Sequence, residues 1–370
     1  MIRSFRYPLR LNQQEETGLE EIRLACQRLY NAALEQRIDA YRKQGKTISK
    51  YEQYKELTEL KGVISPRILR SSVDRLDRAY KAFFRRVRSG HKPGFPRFKG
   101  IDRYDSFSFP NPVVKGNLLT VPSFGKIRLK LYRPLKGKPL EAHVRKTCRG
   151  WEASVVCDLG AAPEKVEAKT STGIDVGLSS FATFSDGSEV ENPRFFRRSE
   201  ALLAKHQKAL SSKKKRRNSS SRKRSKLLVA KTHQHIKNQR LDFARKLAKE
   251  VFSKYDLVVI EDLNIRGMVR TLNLGKSVSD ASWGLFAACL NFKAEEAGKT
   301  IVAVDPRNTT QNCSRCGKRV VKLLSERQHN CPYCSLSMGR DHNAALNILA
   351  LGLRAVSRIG AKAPILAEAS

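Results

Sequence analysis

The sequence predicts an α+β protein of several domains with an α/β core in its C-terminal half. Three observations predict it. Acidic residues interrupt or end apolar, strand-like runs, Asp175 in TGIDVG and Glu261 in LVVIE. Two Cys-x-x-Cys pairs, Cys313/Cys316 and Cys331/Cys334, lie fourteen residues apart. Helical periodicity and strand-like alternation alternate in blocks along 370 residues, enough for two or three domains and a sizeable core.

The elements follow in order. IRSFRYPLRL alternates basic and apolar residues and reads as a strand. Leu19, Ile22, Cys26, Leu29, Ala33 and Ile38 recur at helical spacing over about 16–43, and Val73, Leu76, Tyr80, Phe83 and Val87 do so over about 71–88. RRVRSGHKPGFPRFKG is a basic loop punctuated by Gly and Pro. Short strands broken by Gly and Pro fill about 105–158, a small β-barrel or sheet, and 160–170 reads as a linker. TGIDVGLSSFATFSDGSEV reads as two strands flanking a turn at Asp186-Gly187. A basic helical segment covers 197–252, interrupted by the loop SSKKKRRNSSSRKRSK. YDLVVIEDLNI is a strand, SWGLFAACLNFKAEEAGK a helix stopping at Gly298, and TIVAVDP a further strand. The cysteine module, Asp341, a short helix and a Gly/Ala-rich tail complete the chain.

Charge narrows the function. Lys+Arg 72 against Asp+Glu 35 gives a net charge of +37, which points to a polyanionic partner. A ribosomal or chromatin-type binder and a membrane-surface protein are the alternatives. No apolar run is long enough to span a bilayer and no signal-peptide core follows Met1, so a soluble intracellular protein is expected.

A carboxylate in an apolar strand is costly unless it is paired or holds a cation. Asp175 is bracketed by Gly173 and Gly177, which let a backbone or phosphate approach. Glu261 ends the run Leu257-Val258-Val259-Ile260, and Asp341 precedes a helix in an N-cap position. Singly, Asp175 reads as a salt-bridged structural acid, Asp341 as a helix cap and Asp262 as a strand-end turn residue. Jointly, three carboxylates at one end of a sheet suit two Mg²⁺ ions about 4 Å apart, for in-line attack of water on a phosphodiester. Strand Asp, hairpin, later strand Glu and Asp on a C-terminal helix is the order an RNase H-like nuclease core requires.

Cys26, Cys148, Cys157 and Cys289 lie beside apolar residues and read as reduced core thiols. The paired cysteines 313, 316, 331 and 334 predict a closed tetrahedral Zn²⁺ site of structural type, with Gly317 supplying a turn. Lys213, Lys214, Lys215, Arg216, Arg217, Arg222, Lys223 and Arg224 crowd the Ser-rich loop and are candidates for phosphate contact, against a solvated loop or a localisation signal. Phe95 and Phe98 beside Arg97 are candidates for base stacking, against local packing. His342 and His329 are read as surface or packing residues.

Taken together, TGIDVGLSSFATFSDG, VVIEDLNIRGM, VSDASWGLF, VDPRNTTQNCSRCG and CPYCSLSMGRDHNAALNIL resemble the TnpB family of insertion-sequence nucleases, relatives of type V CRISPR effectors. The resemblance is specific over 173–349; before that, KPGFPRFKG and the Tyr80–Phe84 helix also fit. It implies a RuvC-like core with Asp175, Glu261 and Asp341 as the Mg²⁺-binding catalytic acids, and Cys313, Cys316, Cys331 and Cys334 as an inserted zinc ribbon. It also implies a wedge-type barrel over 1–12 and 96–165 and a helical recognition lobe over 13–95. The core would cover 166–305 and 339–355, the ribbon 306–338 and a tail 356–370. The implied partners are a guide RNA from the transposon end and double-stranded target DNA, in a bacterial or archaeal cytoplasm at the nucleoid. Ser335 and Gly339 depart from the family pattern, in which a Gly often follows the second knuckle and an acid precedes the Arg-Asp pair. A DDE-type transposase and a nuclease-inactive RNA-guided regulator are the rival readings.

Overall fold

The computed structural model describes residues 1–59, 64–213, 219–271, 274–323 and 325–359. The chain forms two compact units, Met1–Ala161 and Ala162–Ser370. Among the described residues no helix is long and apolar enough to cross a membrane.

Among the described residues the first unit is one antiparallel sheet with three α-helices. Its strands are β1 (Ile2–Arg10), β2 (Ser106–Pro110), β3 (Val113–Lys115), β4 (Leu118–Val121), β5 (Gly125–Leu129), β6 (Lys138–Thr147) and β7 (Gly150–Asp158). They lie in the order β2-β6-β7-β1-β5-β4-β3, so the N-terminal strand is central. Tyr7, Phe107, Phe109, Val144 and Val155 share a core with Leu19, Ile22, Cys26 and Tyr30 of α1 (Gln13–Gln44). Asn12 and Glu15 close a capping box at the start of α1, and Gly45 ends it in the left-handed conformation. Helix α2 (Lys50–Glu59) has no apolar periodicity to announce it. Leu57 is buried, and Gln53, equally buried, accepts from Arg37 Nε at 2.9 Å and donates to Ala33 O. Helix α3 (Pro66–Arg88) completes the unit.

The second unit holds a five-stranded sheet ordered β10-β9-β8-β11-β12. The strands are β8 (Ser171–Val176), β9 (Ser180–Phe184), β10 (Glu189–Glu191), β11 (Leu257–Glu261) and β12 (Thr300–Val304). β8 pairs antiparallel with β9 and parallel with β11, which pairs parallel with β12. The segment read as two strands carries three, because a second turn lies at 177–179 where Gly177 and Ser179 break the apolar run. The Asp186-Gly187 turn joins β9 to β10, with Gly187 at φ 86° and Ser188 N bonded to Asp186 Oδ1.

One face of this sheet carries α5 (Ser220–Lys254), α6 (Ile265–Thr271), α7 (Gly275–Ala281) and α8 (Trp283–Ala297), whose side chains pack with Ile174, Phe181, Val258 and Ile260; α4 (Phe195–Ser211) packs on α5, with Phe195 edge-on to Phe243. The basic loop is shorter than expected: Ser219 caps α5, so Arg222, Lys223 and Arg224 are helical. The other face carries α9 (Arg340–Ile359), which packs Ile348 against Leu257, Val259 and Val304. The hairpin β13 (Gln328–Asn330) and β14 (Ser337–Gly339) belongs to the cysteine module and runs directly into α9. Gly339 is paired with Gln328 in that hairpin. Helix α9 continues to Ile359, into the segment read as tail; 360–370 lie outside the described residues.

Candidate active site and metal centre

Side-chain alternation brings the acids to one face. On β11, Val258 and Ile260 point to the α5/α8 core and Val259 to α9, so Glu261 shares the α9 face. On β8, Ile174 points to the α5/α8 core, so Gly173 and Asp175 share the α9 face. The parallel register pairs Ile260 with Ile174, which brings Glu261 level with Asp175 on adjoining strands about 4.8 Å apart. Asp341 enters the same site from the first turn of α9. It is the second residue of the helix, not its N-cap, because the β13–β14 hairpin delivers Arg340 already in helical conformation.

Glycines set how closely α9 approaches. A Cβ on Gly173 would lie 2.2 Å from Ala345 O and 2.6 Å from Leu349 N, and one on Gly352 would lie 2.3 Å from Val259 Cγ2. Only hydrogen fits at either position. The approach permitted by Gly173 is thus that of a helix backbone.

The electrostatics are those of crowded carboxylates. Burial, then the charges of Glu261 and Asp341, push Asp175 well above the usual carboxylate range, and Arg340 pulls it back. Burial raises Glu261, offset by a hydrogen bond from Thr309. Asp341 accepts from Arg340 Nε at 3.1 Å and lies 3.9 Å from Arg327 Nη1. A buried acid surrounded by like charges calls for a cation, so the donor set fits hard divalent ions such as Mg²⁺.

The sulfurs of Cys313, Cys316, Cys331 and Cys334 lie within 4.8 Å of one another. Cys313 and Cys334 are 3.5 Å apart and Cys316 and Cys331 3.6 Å, too far for disulfides and close to the ~3.8 Å edge of a tetrahedron with 2.3 Å metal–sulfur bonds. Burial, which raises Cys331, is outweighed by the N–H groups of Tyr333 and Cys334, so its thiol falls to about 6. Each knuckle closes the same way: Gly317 N donates to Cys313 O at 2.8 Å and Ser335 N to Cys331 O at 3.0 Å. Both closing residues are left-handed, at φ 73° and 56°. The geometry fits a structural zinc ion.

The remaining candidates are dispersed. Lys214, Lys215, Arg216 and Arg217 lie outside the described residues. Arg222 Nη1 donates to Leu210 O and Lys213 O, tying α5 to the end of α4, and Lys213 Nζ bonds Ser225 Oγ at 2.6 Å. Lys223 and Arg224 are exposed on α5. In the first unit, Phe95 packs edge-on against Tyr80 and Phe83 and is still half exposed, as is Phe98; Arg97 is exposed. The His342 ring lies beside Gly187, with its Nε2 3.2 Å from Ser185 O. His329 is fully buried beside Lys322. Asp262 donates its N–H to Val304 O at the strand end.

Sequence reasoning missed Asp280, Thr309, Asn343 and Asn347. Buried Asp280 accepts from Phe196 N, Arg197 N and Arg240 Nη2, capping α4 from α7. Nothing in the order of residues brings 280 to 196. The asparagines hold the cysteine module: Asn343 accepts from Ser314 N and donates to Asn312 O, and Asn347 donates to Thr309 O and Asn312 O. Their spacing of one helical turn on α9 was the available signal.

Comparison with known proteins fits this arrangement. Residues 154–272 match the family model described as "Probable transposase" and 283–348 the "Cas12f1-like, TNB domain". A Streptomyces pristinaespiralis protein named "Putative RNA-guided DNA endonuclease" is 31% identical over 375 residues, covering 95% of this chain and 90% of the relative. The chain belongs to the TnpB family. A further relative, "Putative RNA-guided DNA endonuclease InsQ" of Escherichia coli K12, is 28% identical over 378 residues, covering 95% of this TnpB-family chain and 92% of its own length. A solved Cas12f1 chain, in a complex with sgRNA and target DNA, shares the fold with a TM-score of 0.60 at 15% identity, over 91% of this chain and 83% of that one.

Proposed function

We propose that this chain is an RNA-guided DNA endonuclease of a transposable element, cutting phosphodiesters at Asp175, Glu261 and Asp341. One observation carries the reading: Asp175 is buried on the α9 face under the charges of Glu261 and Asp341, an arrangement unfavourable without a cation. The sheet order and the two packed faces support an RNase H-like, RuvC-type core, and the seven-stranded sheet of the first unit suits a wedge domain.

Bound Mg²⁺ would supply a Lewis acid and an activated water for in-line displacement at phosphorus. The chain's own residues do the rest. Asp175 and Glu261 present carboxylates from adjoining rigid strands, so little reorganisation is needed on binding. Asp341 adds the third carboxylate from α9, where the helix N-terminus also favours negative charge. Arg340 Nε donates to Asp341 Oδ1 and orients that carboxylate. Zinc in the four-cysteine cage would fix the hairpin from which α9 begins, and so the placement of Asp341.

Guide RNA and target DNA follow from the named relatives and from the net charge of +37. The test is to co-purify the protein with its nucleic acid, sequence the bound RNA and programme cleavage with it in Mg²⁺. Bound RNA from the transposon end and cuts only in guide-matched DNA are expected. Joining of transposon ends without RNA would favour the reading behind the description "Probable transposase", a DDE-type reaction using the same metal chemistry.

A further inference from the structure

Glu261 is the last residue of β11. Its carboxylate Oε1 accepts from Thr309 Oγ1 at 2.6 Å, the length of a charge-assisted O–H···O bond. Thr309 is 3% exposed. Its hydroxyl also lies 3.0 Å from Pro306 O, but it has one proton, and the charged, nearer oxygen takes it.

The loop carrying Thr309 is itself clamped. Asn308 takes the left-handed conformation at φ 63°, and Gln311 N and Asn312 N both donate to Asn308 O. Asn347 Nδ2 donates to Thr309 O at 2.8 Å and to Asn312 O at 2.7 Å, and Asn343 Nδ2 to Asn312 O at 2.8 Å. Lys322 Nζ donates to Thr310 O at 2.8 Å from within the cysteine module. Cys313 follows at once in sequence. The backbone of Thr309 is therefore tied to the helix of the third acid, while its hydroxyl holds the second.

We propose that Thr309 is a positioning residue that sets the Glu261 carboxylate for a divalent cation, so that the cysteine module fixes two of the three acids and not Asp341 alone. Thr309 touches no reacting atom. It acts through Glu261, and its hydroxyl, not its bulk, carries the effect. Without that hydroxyl a strand-end glutamate has other rotamers to occupy, and the cation must order it on binding.

The proposal rests on the carboxylate reading above, and the experiment separates the two. Mn²⁺ alone is titrated calorimetrically into the zinc-loaded full-length chain, comparing wild type with Thr309→Val, Thr309→Ala, Thr309→Ser and Glu261→Gln. Thr309→Val keeps the shape and loses the hydroxyl, Thr309→Ala adds no apolar volume, and Thr309→Ser restores the hydroxyl. Thr309→Val and Thr309→Ala should weaken Mn²⁺ binding roughly tenfold or more, as loss of a ligand's supporting hydrogen bond generally does, with the serine variant close to wild type. Glu261→Gln should lose the site. If valine and alanine variants bind Mn²⁺ as wild type does while Glu261→Gln does not, Thr309 is no positioning residue. If wild type binds no Mn²⁺, or Glu261→Gln binds it equally, the carboxylate reading itself is wrong.

Discussion

On one face of the five-stranded sheet, Phe181 packs edge-on against Phe243 and Phe286 with ring centroids 4.8 and 5.3 Å away. On the other, α9 comes so near that Gly173 and Gly352 leave no room for a methyl group. The first face is held by apolar bulk, which relaxes in part when a side chain shrinks. The second is held by backbone proximity, which fails abruptly when a side chain grows. The acids stand on the second face. Precise placement there comes from an unyielding contact, and apolar packing on the opposite face supplies the stability it requires.

Substitutions on each face should behave differently. Phe286→Ala empties a site that is 2% exposed and should cost about 3–5 kcal/mol in chemical denaturation, while the folded fraction still cleaves. Gly173→Ala should cost less stability, about 1–3 kcal/mol, yet lower cleavage far more, because relieving the clash with Ala345 O moves the helix that carries Asp341. Equal loss of activity per kcal/mol in the two variants would erase the distinction between the faces. A smaller effect comes from the two cysteine knuckles, whose closing residues differ only as Gly317 and Ser335 at similar φ. Ser335→Gly should stabilise the zinc-loaded protein by about 0.5–1 kcal/mol, read as a higher Tm, since serine is strained in a left-handed conformation that glycine adopts freely.

What was legible in the sequence was what local chemistry dictates. The cysteine spacing, the apolar runs around Asp175 and Glu261, and the glycine stop of α8 each announce themselves within a few residues. Helix α2 did not, because polar Gln53 is buried alongside Leu57 and bonds Arg37 and Ala33. The turn at 177–179 was hidden within one long β-favouring stretch, and the start of α5 within a run of basic residues that reads as solvated loop. Thr309 was invisible for a different reason. Its partner lies 48 residues away, and a threonine in a polar loop carries no signal until the fold places a carboxylate beside it.

The central claim is that the buried acid on the α9 face serves a cation. Asp175→Asn keeps the shape and removes the charge that burial, Glu261 and Asp341 all oppose. The deciding measurement pairs cleavage of guide-matched DNA in Mg²⁺ with the Tm of the same variant without divalent ions. Loss of cleavage with RNA binding retained, and a Tm equal to or above wild type, is the predicted result. Cleavage at the wild-type rate would contradict the account.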